Sequence, residues 1–271
     1  MAAIHGAGQY LGWLTPIASG YGVPMSAALS PSWRAAPSIP IDFGLWEILV
    51  IFHPMPKWCK TIIAVLLLPL CIGAAKALWL VLRASGEATT IWVALLAGAA
   101  CWVVIYILLP KPMWMYVFGH ELTHAIWAWF FGGKVKKLKV RSSGGHVIVT
   151  KSNFLIALAP YFFPLYVVAV GLVFALGNLI WNWQSYVVWF HLLLGAAYAF
   201  HVTLTWQVLS TEQTDITEQG YAFSAVVIFL GNIGMLLVGV PLLVARVGVL
   251  TALGWWMECT GQILHRLGRF L

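Results

Sequence analysis

Six consecutive residues, Gly119-His120-Glu121-Leu122-Thr123-His124, hold the side chains best suited to chemistry in this chain. His120 and His124 are four apart, so on a helix they share one face. Two imidazoles on one face can grip a single Zn²⁺ at about 2.0–2.1 Å. Glu121 would then stand beside the metal, where a carboxylate can take a proton from a water activated by the ion. The stretch lies inside an apolar run from Met113 to Phe131. Ionisable groups in such a run are costly in lipid and are usually functional. With only eight His and eight acidic residues in the chain, chance assembly of this pattern is improbable.

A metal-binding helix needs neighbours to hold it, and composition says what kind. The 271 residues are 62% hydrophobic and 8% charged. That balance describes a polytopic membrane protein, and several apolar runs are long enough to span a bilayer. The net charge of +7 is concentrated in loops, where it reads as topology and lipid-headgroup contact rather than nucleic-acid binding. Cys59, Cys71, Cys101 and Cys259 form no CxxC pair, which argues against a disulfide framework or a cysteine metal site. The sixteen Trp suit interfacial belts around a bundle.

The expected fold is all-α, with about six transmembrane helices and a small β-hairpin after the metal-binding helix. Three regions are expected: an N-terminal arm and interfacial segment over 1–60, a transmembrane core over 61–247, and an amphipathic tail over 248–271. The spans read as Thr61–Val81, Ile91–Leu109, the helix around His120, Phe154–Leu176, Tyr186–Leu209 and Tyr221–Val244. Pro160 and Pro164 place a break in the fourth. Residues Met1–Pro40 lack an apolar period and a basic leader region, so they are expected to pack on the spans or on a partner subunit. The segment Ile41–Phe52 reads as interfacial.

After the metal-binding helix come Lys134-Val135-Lys136-Lys137-Leu138-Lys139-Val140-Arg141, a Ser-Ser-Gly-Gly turn, and His146-Val147-Ile148-Val149-Thr150. Partial alternation on either side of a glycine turn predicts a hairpin. Its basic residues argue that the 134–151 loop is cytoplasmic. An exposed strand edge at Val147, Ile148 and Val149 could receive an extended peptide by β-augmentation.

The segment FGHELTHAIWAWFFGGKV resembles the metal-binding helix of the site-2 proteases, intramembrane zinc metallopeptidases whose HExxH lies in a transmembrane helix with a glycine-rich exit. The resemblance runs from about Met113 to Asn232. It implies hydrolysis of a peptide bond in or near a transmembrane segment of a single-pass membrane-protein substrate, one Zn²⁺ per chain, and His120 and His124 as ligands with Glu121 as general base. It also implies a bilayer setting, read here as a bacterial inner membrane. The family supplies its third ligand as an Asp downstream, in LDG or NPDG strings that do not occur here. Asp215 matches the family's order of elements, whereas His201 matches His124 in estimated membrane depth. Asp215 is chosen as third ligand, with His201 as a residue that orients a ligand or as the alternative ligand. Two other readings stand beside the protease: a site-2 protease-like structural or binding subunit of a larger membrane complex, and a histidine-box membrane oxidase, which the scatter of the remaining His disfavours.

Overall fold

The computed structural model describes residues 55–141 and 144–269. The expectations for the arm at Met1–Pro40 and for the interfacial segment Ile41–Phe52 therefore lie outside the described residues. The described chain is mostly helical. In order, it forms α1 (Lys57–Leu66), α2 (Leu68–Ala84), α3 (Thr89–Leu108), α4 (Met113–Phe130), β1 (Val135–Arg141), β2 (Gly144–Val149), α5 (Phe154–Phe162), α6 (Leu165–Trp181), a short 3₁₀ turn, α7 (Val187–Leu209), α8 (Thr214–Gln219), α9 (Tyr221–Val244) and α10 (Val249–Leu267).

Three of these helices, α3, α9 and α7 with its leading turn, are long and apolar enough to cross a membrane. The count rises to five if the bent pairs α1–α2 and α5–α6 each make one span. The six spans expected from sequence are thus not reached by length and composition. The sixth, α4, has 18 residues, but His120, Glu121 and His124 interrupt its apolarity. The α5–α6 pair bends by 73°. Pro160 and Pro164 lack the amides that would continue the helix, which is the physical origin of the break.

Two helix layers frame the site. In the first, α2, α9 and α10 share a core of Ala74, Ala77, Val81, Leu237, Val240 and Ala252. The amphipathic tail, α10, docks along α2 in this layer: Trp256 Nε1 donates to the Leu70 carbonyl at 2.9 Å, and Ala252, Cys259 and Thr260 are buried. In the second layer, α3 and α7 cross closely. A Cβ at Gly98 would overlap the backbone of Leu192, and one at Gly195 would overlap the backbone of Leu95. Small residues that admit such close approach are the usual basis of helix association in lipid, where apolar burial gives little drive. Trp102 Nε1 donates to Thr203 Oγ1 at 2.9 Å, and Tyr106 OH to Gln207 Oε1 at 3.1 Å, fixing the rotation of the pair. The opposite faces expose large apolar side chains such as Ile107, Leu108, Trp189 and Trp206, as a lipid-facing surface would.

The hairpin packs on α4. Pairs run Leu138↔Val147, Lys139↔His146 and Val140↔Gly145, with a bulge in β1 between Val135 and Lys137. The Thr150 amide bonds to the Lys134 carbonyl at 3.0 Å. Backbone groups alternate edges along a strand, so the Ile148 amide also faces β1, while the Val147 and Val149 amides face the open edge.

Gly195→Val should lower stability by about 1–3 kcal/mol, because its side chain has no room against Leu95. Thermal unfolding in detergent reads this, with Gly171→Ala as the control, since nothing lies within 4 Å of a Cβ there. Equal melting of the two variants would show that α3 and α7 do not rely on this crossing.

Candidate metal centre

The centre is assembled from three elements: α4, the broken helix α5 and the short helix α8. On α4, the four-residue spacing brings the two imidazoles together, with ring centroids 4.9 Å apart. His124 Nδ1 lies 2.8 Å from the Ile156 carbonyl oxygen. A carbonyl only accepts, so Nδ1 carries the proton and donates, and Nε2 is left with its lone pair. Ile156 is free to accept for a local reason. The amide that would normally bond to it four residues later belongs to Pro160, which has no N–H. Asn153 starts α5 as its N-cap, accepting from the Ile156 amide at 2.8 Å, and is itself fully buried. A proline, a cap and a histidine tautomer are thus linked through one residue, Ile156.

Asp215 sits in the first turn of α8. Its Oδ2 is 3.4 Å from His120 Nε2 and 3.4 Å from His124 Nε2. Two donors each about 2.0–2.1 Å from a tetrahedral ion are about 3.3–3.4 Å apart, so the spacing fits a shared metal. Among the described residues, His120, His124 and Asp215 are the group of three that could hold an ion, their ligand atoms all lying within 4.8 Å of one another. Tyr161 OH donates to Asp215 Oδ2 at 3.1 Å, and the Tyr161 ring stands edge-on to His120. The Tyr161 carbonyl, left over at the helix break, accepts from Asn232 Nδ2 of α9 at 3.1 Å. Burial works against ionisation of Asp215, but in the metal-free protein a proton on Nε2 of His120, or a His124 protonated on both nitrogens, donates to the carboxylate and holds it below the usual carboxylate range. The aspartate is therefore anionic at neutral pH, the form that binds a cation.

Glu121 is outside this trio and only 8% exposed. Its cover is the hairpin: a Cβ at Gly145 would lie 2.6 Å from Glu121 Cγ and 2.9 Å from Val117 Cγ1. Only glycine lets β2 lie this close. The Val147 amide faces the Glu121 carboxylate, so the open edge of β2 and the expected general base are neighbours.

His201 is buried in α7 and does not join the trio. It lines a small cavity of ≈ 20 Å³ together with His120, Tyr116 and Thr123, room for about one water. The competing argument from membrane depth thus brought His201 near His120 but not to the ligand position. Tyr161, Asn153, Asn232, Pro160 and Gly145 were not expected at the site. Asn232, a polar residue inside an apolar span, was a visible signal for a helix–helix contact, and Pro160 was visible as a break.

Residues 91–212 match the family model described as Peptidase M50B-like. No curated protein matches the chain, and no solved structure does. The match begins upstream of the resemblance noted in the sequence and stops three residues short of Asp215, so the placing of that residue rests on geometry.

Zinc affinity should collapse in Asp215→Ala and fall only modestly in His201→Ala, as measured by chelator competition on purified protein. The opposite ranking would mean that the trio is not the ligand set. Over residues 91–212, the chain is similar to the peptidase family described as M50B-like.

Proposed function

We propose that this protein is an intramembrane zinc metalloprotease that hydrolyses a peptide bond in or near a transmembrane segment of a membrane-protein substrate. The observation that carries the reading is the convergence of His120 and His124, which lie in the family-matched segment with Glu121, on Asp215, whose Oδ2 is 3.4 Å from each imidazole.

His120, His124 and Asp215 would hold one Zn²⁺. When bound, the ion supplies Lewis-acid polarisation of the scissile carbonyl and lowers the pKa of water. The chain's own residues do the rest. Glu121 accepts a proton from the attacking water and passes it to the leaving amine. The Ile156 carbonyl keeps the His124 proton on Nδ1, and Tyr161 orients the Asp215 carboxylate. A peptide bond inside a helix is poorly open to attack, so the substrate has to be extended. The Val149 amide on the open edge of β2 can hold an extended segment, and the Val147 amide can join it once released from the Glu121 carboxylate, with Ile148 bonding inward to β1. The basic 134–151 loop is placed at the cytoplasmic face, and the lipid-facing helices in an inner membrane. Residues Met1–Pro40 are assigned to contact with partner subunits.

One observation favours a second reading, a site-2 protease-like subunit that binds rather than cleaves. Gly145 lies directly on Glu121, so the hairpin covers the expected base.

Glu121→Gln separates the two readings. It should retain about one zinc per chain and lose cleavage of a single-pass substrate, because it removes the base and no ligand. Cleavage near the wild-type rate in this variant would eliminate the mechanism, and a wild type that cleaves none of a broad substrate panel would favour the subunit. Val147→Pro and Val149→Pro each remove an open-edge donor and should slow cleavage with zinc content unchanged. Normal turnover in both would discard strand addition as the mode of substrate binding.

A further inference from the structure

Asp215 rides on α8, a helix of six residues, too short to hold its own position. What holds it is a contact from far away in sequence. Lys60, in the first turns of α1, donates from Nζ to Gln219 Oε1 at 2.6 Å. Both side chains are almost wholly enclosed, Lys60 at 2% exposure and Gln219 at 3%. A buried lysine is rare unless paired. Among the described residues no carboxylate comes within ion-pair distance of Lys60, so its bonded partner is a neutral amide. The ammonium is thus held by a neutral acceptor, with the Glu218 carboxylate in reach only through space and beyond ion-pair distance, an arrangement that costs stability unless it serves another end.

The geometry of α8 indicates that end. Asp215 and Gln219 are four residues apart, so they lie on one side of the same short helix. One end of that side is set by the imidazoles and Tyr161, the other by Lys60. The remaining anchors of α8 are Ile216, buried among Ala64, Leu158 and Phe223, and its carbonyl, which accepts from Ser224 Oγ at 3.3 Å. Gly220, at φ 90°, then turns the chain directly into α9, with the Lys57 stem 4.0 Å from where its Cβ would be. A rigid exit, an apolar plug and a charged latch leave α8 little freedom to slide or roll.

We propose that the Lys60–Gln219 hydrogen bond sets the position of Asp215 at the metal centre, making Lys60 a positioning residue for the third ligand. The inference rests on the reading of Asp215 as a metal ligand. Lys60 touches neither the metal-binding atoms nor substrate; it acts through α8.

The test is a double-mutant cycle read as zinc affinity, using full-length protein in detergent and a chromophoric chelator. Lys60→Met and Gln219→Leu should each weaken zinc binding about tenfold, the lower end of the range for groups that support a ligand. The double variant should be no weaker than either single one, because both remove the same bond. Gln219→Glu keeps an acceptor for Lys60 and should bind zinc as the wild type does. The Co²⁺ absorption spectrum of each variant gives a second readout: Lys60→Met should alter the ligand field, and Gln219→Glu should preserve it. Unchanged affinity in both single variants would overturn the proposal. So would additive losses in the double variant, or loss in Gln219→Glu equal to that in Lys60→Met, which would mark a merely structural pair. If Lys60→Met does not fold, Gln219→Leu against Gln219→Glu decides by the same criteria. Failure of the protease reading looks different: the zinc pattern would hold while no variant, wild type included, cleaved any substrate.

Discussion

The contact on which the centre most depends is the bond from His124 Nδ1 to the Ile156 carbonyl. A ligand histidine must present a lone pair, so its other nitrogen must keep the proton, and a backbone acceptor inside the protein is the means. An unbroken helix has no carbonyl to spare, because each one bonds to the amide four residues on. Pro160 removes that amide and so creates the acceptor. The 73° bend that follows at Phe163–Pro164 also frees the Tyr161 carbonyl, which Asn232 takes. The broken helix therefore orients one candidate ligand, His124, through its backbone and a second, Asp215, through the Tyr161 hydroxyl, while remaining fastened to α9.

Around this break the architecture is divided by task. The layer of α2, α9 and α10 is closely packed and mostly apolar, while α8 is held by a separate cluster in which Ile216 meets Ala64, Leu158 and Phe223. The α3–α7 pair is joined by glycine contacts and two side-chain bonds, and it exposes large apolar side chains over most of its length. Between them α4 carries both imidazoles and the carboxylate of Glu121. Polar residues in such a helix are tolerated because each has a partner or a cover: Ile156 for His124, Asp215 for both imidazoles, the hairpin for Glu121. An uncovered carboxylate at that depth would be costly.

The hairpin serves two purposes that pull in different directions. Gly145 brings β2 against Glu121 and keeps bulk water from it, while the outward amides of Val147 and Val149 leave an edge for an extended chain. A strand added to that edge would lie beside the base, but the present contact of Gly145 with Glu121 leaves little space there. An extended chain on that edge would therefore require the hairpin to shift. Its basic outer face, with Lys137, Lys139 and Arg141 on the same side as His146 and Ile148, has no acidic residue on either strand to balance it.

The sequence by itself determined the parts whose signals are local. Four-residue spacing placed His120 and His124 on one helix face, two prolines marked the break, and alternation about a glycine turn marked the hairpin. Asp215 was legible by order along the chain, as the downstream acid between two spans, though the sequence could not exclude His201. Length and composition support up to five of the six expected spans among the described residues, because α4 combines span-like length with polar content. Only the tertiary structure decided which of Asp215 and His201 meets the two imidazoles, because both lie far from α4 in sequence and the choice depends on how α7 and α8 pack. It alone showed the tautomer-fixing carbonyl, the hydroxyl on Asp215, the glycine over Glu121 and the lysine behind α8. Each of these is a contact across tens of residues or more, made by side chains or carbonyls whose local sequence gives no periodicity to read; they exist only once helices from different parts of the chain are packed together.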